Sequence, residues 1–156
     1  MTNFNEIRVF FENNRFSFVD ELGNKKETKE LQKFTFENLK TSFPDLNWEE
    51  EAKAGLNGDK FDIYGENKDL RVIIEFDNHR GDQISKKFVS RLASILEKDL
   101  KDLKVLYVIY LYRGTENSKL NEAKKYIDYC KVIGEHVGVE VIDYHTSDLD
   151  EKWGKQ

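Results

Sequence analysis

The sequence predicts an α/β fold, a mixed central β-sheet flanked by helices in the order α-β-β-β-α-β-α-β. Three observations carry this. In the second half of the chain, strand-length apolar runs alternate with helical stripes, the pattern that puts helices on a sheet. Before that, three strand-like segments follow one another closely enough to form an antiparallel meander. One run, Val105-Leu106-Tyr107-Val108-Ile109-Tyr110-Leu111-Tyr112, is apolar without interruption, as a strand buried on both faces must be. The late strand-helix-strand alternation implies a parallel pair joined by a right-handed crossover.

Each element has a local reason. Phe4, Ile7, Phe10 and Phe11 fit a helical stripe, while Ile7, Val9 and Phe11 also alternate as in a strand, so both readings stay open there. Residues 15–20 read as a strand, and Glu21-Leu22-Gly23-Asn24 as a turn. A helix starts near Thr28, with Leu31, Phe34, Leu39 and Phe43 on its apolar side. It stops by Pro44, the only proline, because the residue before a proline avoids helical geometry. Residues 48–54 form the first strand of the meander, and 55–59 a turn with two glycines. Lys60 to Gly65 and Leu70 to Asp77 are the next two strands, joined by Glu66-Asn67-Lys68-Asp69. Asp82 caps a helix reaching about Lys98, whose apolar face is Ile84, Phe88, Leu92, Ile95 and Leu96. Lys104 to Tyr112 is the buried strand, and 113–117 a loop. Ser118 to about Val137 is a helix with Leu120, Ala123, Ile127 and Val132 or Ile133 inward. Val139 to Tyr144 is the last strand.

The 156 residues make one domain with its core at about 28–144, an N-terminal extension over 1–27 and a loose tail over 146–156. With 11 Phe and 7 Tyr the chain is not disordered. Its single cysteine, Cys130, excludes an internal disulfide and a cysteine-based zinc cage, and fits a reducing compartment. His136 and His145 have no partner at zinc-ligand spacing. The longest apolar run is too short to span a bilayer, and Met1-Thr2-Asn3-Phe4-Asn5-Glu6 lacks the basic and apolar regions of a secretory signal. The expectation is a cytoplasmic protein without membrane contact. No glycine-rich phosphate loop or Gly-x-Ser-x-Gly elbow occurs, which argues against a P-loop nucleotidase or a serine hydrolase.

Function is suggested by carboxylates where core strands ordinarily carry none. Glu75 and Asp77 are two apart, so a strand points both to one face. A hairpin through Glu66-Asn67-Lys68-Asp69 brings Asp62 toward them. Carboxylates that close raise one another's pKa unless a positive charge lies between, and a hard divalent ion is the natural candidate. The plainer alternatives are a solvent-facing Asp62 on an edge strand, and Glu75 and Asp77 marking where a buried strand emerges into water. The net charge of −5 gives nucleic-acid binding no global support, yet Arg80, Lys86, Lys87 and Arg91 make a local basic stretch.

This element order, with Asp62 and Glu75 separated by twelve residues, resembles the PD-(D/E)xK nuclease superfamily, the restriction-endonuclease-like fold, over roughly residues 28–144. The resemblance implies a magnesium- or manganese-dependent DNA endonuclease, with Asp62 and Glu75 as metal ligands. The superfamily's lysine, two residues after the second acid, is replaced here by Asp77. Three readings follow: Asp77 is a further metal ligand; the positive charge comes from the next helix; or the fold binds without cutting. Lys87 is the helix candidate because it borders the apolar face, whereas Lys86 points away; Gln83 lies one turn before it. The expected site is therefore Asp62, Glu75, Asp77 and Lys87 for catalysis, with Arg80, Lys87 and Arg91 toward nucleic acid. Glu30 and Glu37 on the first core helix, and Glu49-Glu50-Glu51, are weaker candidates for the same acidic cluster. DNA is the expected partner, and a homodimer would cut both strands. The alternative is a catalytically inactive nuclease-fold module that binds nucleic acid or protein.

Overall fold

A computed structural model describes residues 1–19, 21–53, 55–78, 80–98, 103–112 and 117–153. The loop expected at 113–117 falls almost wholly outside them. A five-stranded mixed sheet has its strands in sequence order: β1 (Asn47–Ala52), β2 (Phe61–Glu66), β3 (Leu70–Asp77), β4 (Lys104–Leu111) and β5 (Val139–His145). β1–β2 and β2–β3 are antiparallel, while β3–β4 and β4–β5 are parallel. The parallel steps are made through α3 (Gly81–Glu97) and α4 (Asn117–Val137). Helices α1 (Phe4–Asn13) and α2 (Thr28–Ser42) precede the sheet, and α5 (Asp150–Trp153) follows it.

The sheet separates two apolar layers. Ile63, Val72, Ile74, Phe76, Leu106, Val108 and Tyr110 pack with α1 and α2. Ile73, Val105, Tyr107, Ile109 and Leu111 pack with α3 and α4. β4 is thus buried on both faces, as its unbroken apolar run requires. In β3 the alternation sends Ile73, and with it Glu75 and Asp77, toward α3.

The N-terminal ambiguity resolves as a helix. Ile7, Phe10 and Phe11 are buried while Val9 is 45% exposed, an arrangement that strand alternation cannot give. The side chain of Asn3 caps the helix by accepting the Glu6 N–H at 2.9 Å. Residues 15–20, expected as a strand, make no strand where described; an isolated bridge joins Val19 to Lys25. Their backbone pairs instead with the chain's end: the Ser147 N–H donates to the Phe16 carbonyl at 3.0 Å, and Asp148 accepts the Phe18 N–H at 2.7 Å.

That pairing also corrects the loose tail over its described residues, 146–153, the rest lying outside them. Thr146 and Leu149 are buried, and Arg15 holds Asp150 at 2.6 Å. Two helix faces differ from expectation as well. Leu96 on α3 and Val132 and Ile133 on α4 are exposed, and Cys130 takes the inward position. Asp82 lies in the first turn of α3 while Arg80 occupies the cap position. The first core helix ends at Ser42 with Phe43 as its C-cap, before Pro44, as expected.

Candidate functional site

The site lies where β2 and β3 part. Their ladder runs from Glu66–Arg71 to Ile63–Ile74. At the next position the Asp62 carboxylate replaces the backbone partner, its Oδ2 accepting the Phe76 N–H at 2.8 Å. A short acidic side chain in a strand thereby ends the ladder and satisfies the freed donor. On the neighbouring strand β1, Glu51 adopts a left-handed backbone with φ of 49°, a conformation that costs a non-glycine residue energy and recurs at functional sites.

Glu75 and Asp77 stand on the α3 face of β3, buried at 0% and 3% exposure. α3 supplies a cation to each. Arg91 Nε lies 2.6 Å from Glu75 Oε1, while its Nη2 donates to the Lys60 carbonyl at 2.6 Å. Lys87 Nζ lies 3.0 Å from Asp77 Oδ1 and donates to the Phe76 carbonyl at 3.0 Å. Lys87 and Arg91 are four apart, so one helix face delivers both. The second oxygens, Glu75 Oε2 and Asp77 Oδ2, are buried without a hydrogen-bond partner, as is the Tyr107 hydroxyl.

The electrostatics follow from this crowding. Burial pushes the Glu75 carboxyl well above its ordinary value, and the neighbouring Asp62 adds to the rise against the pull of Arg91. Burial also raises Asp77, with Lys87 opposing. Burial works to lower the Lys87 ammonium, but Asp77, Asp62 and Glu75 together outweigh it and hold the ammonium charged. Lys87 therefore senses all three carboxylates.

Beside Asp62 opens a cleft of about 1220 Å³, lined by Phe76 and Lys87 on one wall and by α2 on the other. Glu30, Glu37, Glu50 and Glu51 also line it. Glu30 is partly committed, since its side chain accepts the Glu27 N–H in a capping box at 2.5 Å.

The structure thus brings Asp62, Glu75, Asp77 and Lys87 together, with Arg91 behind them. It does not bring Arg80, which is exposed and faces Asp82 at 3.4 Å. Arg91, expected toward nucleic acid, spends its guanidinium on Glu75 and Lys60 within the fold. Among the described residues no three carboxylate, histidine or cysteine groups gather in a metal-holding arrangement, so the expected three-acid patch is instead a close pair, Asp62 and Glu75, with Asp77 turned to Lys87. Sequence reasoning missed Tyr107 and the cleft wall on α2; the first carries no signal in an all-apolar run, and the second depends on how α2 docks.

The chain matches no protein-family model, no curated protein and no solved structure. No helix among the described residues is long and apolar enough to cross a membrane.

Proposed function

We propose that this protein is a metal-dependent DNA endonuclease of the PD-(D/E)xK type, with a restriction-endonuclease-like arrangement of its sheet. The observation that carries the reading is the convergence of Asp62, Glu75 and Lys87, with Asp62 and Lys87 lining an open cleft and Glu75 buried behind them. Magnesium suits Asp62 and Glu75, because it is commonly held by one or two carboxylates and fills its remaining positions with water and substrate phosphate oxygens. The unpartnered Glu75 Oε2 supports the fit, since a buried carboxylate oxygen without a donor is costly unless a cation or proton meets it. When bound, the ion supplies a water of lowered pKa and neutralises charge on the scissile phosphate.

The chain's own residues then have separable tasks. Asp62 and Glu75 present oxygens to the ion. Lys87, reaching from α3, stabilises negative charge that grows on the phosphate; it replaces the lysine missing from the strand, whose position Asp77 occupies. Asp77 holds Lys87 in place through the 3.0 Å contact and so acts as a positioning residue. Arg91 keeps Glu75 oriented.

The test is cleavage of plasmid and oligonucleotide DNA with magnesium or manganese. Wild type should cut, Asp62→Asn should lose cleavage with its metal ligand, and Lys87→Met should lose at least about a hundredfold in rate, the usual loss when a charge-stabilising donor is removed.

One feature favours the non-catalytic reading: Glu75 and Asp77 already have internal cations, so the cluster is charge-satisfied without metal. In that case metal-dependent cleavage is absent, and Asp62→Asn raises stability slightly by removing repulsion on Glu75.

A further inference from the structure

Tyr107 carries a hydroxyl where packing asks for none. It lies within β4, whose residues are buried on both faces of the sheet, and is itself 1% exposed. Phenylalanine would fill the same space without taking an O–H out of water, a cost that a buried polar group normally offsets with a partner. Among the described residues the Tyr107 hydroxyl has no hydrogen-bond partner, and neither has Glu75 Oε2. The first is a donor and the second an acceptor. The sheet sets them side by side. Tyr107 pairs with Ile73 across the parallel β3–β4 ladder, and Glu75 is the next residue of β3 on the same face. Glu75 is therefore the diagonal neighbour of Tyr107, at the roughly 7–8 Å that an aromatic side chain can span. Asp77, opposite Leu111, lies about 7 Å farther along the strand.

Resting on the nuclease reading, we propose that Tyr107 is a positioning residue for the metal site: its hydroxyl donates to Glu75 Oε2 in the metal-bound protein and holds that carboxylate toward the ion. Helix α3 fixes the ring for this task. Phe88 meets it edge-on, with centroids 5.1 Å apart and planes at 77°. Arg91, three residues on and so on the same helix face, holds Glu75 Oε1 at 2.6 Å. One tether at Oε1 leaves the carboxylate plane free to turn, and a second at Oε2 fixes it. Each oxygen of an ionised carboxylate has two lone-pair sites, so Oε2 can accept from Tyr107 and still face an ion. Asp62 also adjoins Glu75, but with both carboxylates on an ion it has no proton to donate. Burial pushes the Tyr107 phenol well above its ordinary value, with Glu75 adding to the rise, so the group remains an O–H donor.

The experiment is calorimetric titration of manganese into wild type, Tyr107→Phe and Tyr110→Phe, with urea unfolding of each in metal-free buffer. Tyr107→Phe should bind manganese at least about tenfold more weakly, the usual loss when a partner behind a metal ligand is removed. Its urea midpoint should be no lower than that of wild type, because the metal-free protein gives up no hydrogen bond. Tyr110→Phe is the converse control. The Tyr110 hydroxyl accepts the Phe16 N–H at 3.3 Å on the opposite side of the sheet, so this variant should lose urea midpoint and keep its manganese affinity. Plasmid cleavage by Tyr107→Phe should need more manganese and recover its rate when the metal saturates. Unchanged manganese affinity in Tyr107→Phe, or a loss accompanied by a lower metal-free midpoint, overturns the role of Tyr107 and leaves the metal site standing. A wild type that binds no manganese, alone or with DNA, overturns both readings.

Discussion

Lys87 is the residue on which the site's charge balance turns. It is the cation beside a carboxylate that is 3% exposed, and removing one partner of a buried pair leaves the other uncompensated. Lys87→Met should cost about 2 kcal/mol at neutral pH, below the full value for a buried pair because Lys87 is 30% exposed and Asp77 can take up a proton. The deficit should narrow as pH falls, because burial raises Asp77 and protonation removes the charge that Lys87 would otherwise balance; urea titrations at neutral and acid pH read it directly. Glu75 predicts a pH dependence of its own. Its folded-state pKa is raised above the ordinary 4.5, so the folded protein holds a proton longer than the unfolded chain does. Stability without metal should therefore fall as pH rises from about 4.5 toward the raised value. Glu75→Gln should flatten that decline. Because metal must displace the same proton, manganese affinity should climb over the same range, and calorimetry across pH checks the sign.

Among the elements, the strands and long helices were legible because their apolar patterns are dictated by local burial. Glu75 and Asp77 sharing a face follows from strand period alone, and the structure places them so. What was illegible depended on contacts distant in sequence. Residues 15–20 have a strand-like composition, but the backbone groups of Phe16 and Phe18 are taken by Ser147 and Asp148 from distant sequence, which also ties down residues 146–150. Val132 and Ile133 look inward on a helical wheel, yet α4 docks through Leu120, Ala123, Ile127 and Cys130. That docking needs Gly134, which nothing in the sequence marks. A Cβ there would lie 2.6 Å from the Val139 carbonyl oxygen, a backbone atom that cannot turn aside. Alanine ordinarily gains up to about 1 kcal/mol over glycine in a helix. Here overpacking of about 1–3 kcal/mol should outweigh it, so Gly134→Ala should lower the melting temperature; an increase would show that α4 can shift away from β5.

Across the whole molecule, the sheet does for the site what no single element could. β2 and β3 part at Asp62, β3 carries Glu75 and Asp77 inward, and α3 returns over the same edge with Lys87 and Arg91. The pair of acids could be read from the sequence because carboxylates are out of place in apolar strands. Lys87's reach could not, since it depends on the crossover that lays α3 across the end of β3. Nor could Arg91's engagement with Glu75, or the cleft formed by α2. The central claim is that Asp62 and Glu75 form a metal site. Calorimetric titration of manganese into wild type and into the Asp62→Asn, Glu75→Gln double variant tests it most directly. Saturable binding by wild type, lost in the variant, is the predicted result. Heat-silent titrations of wild type both alone and with DNA present would contradict it, and would leave the carboxylates as an internally paired part of a binding module.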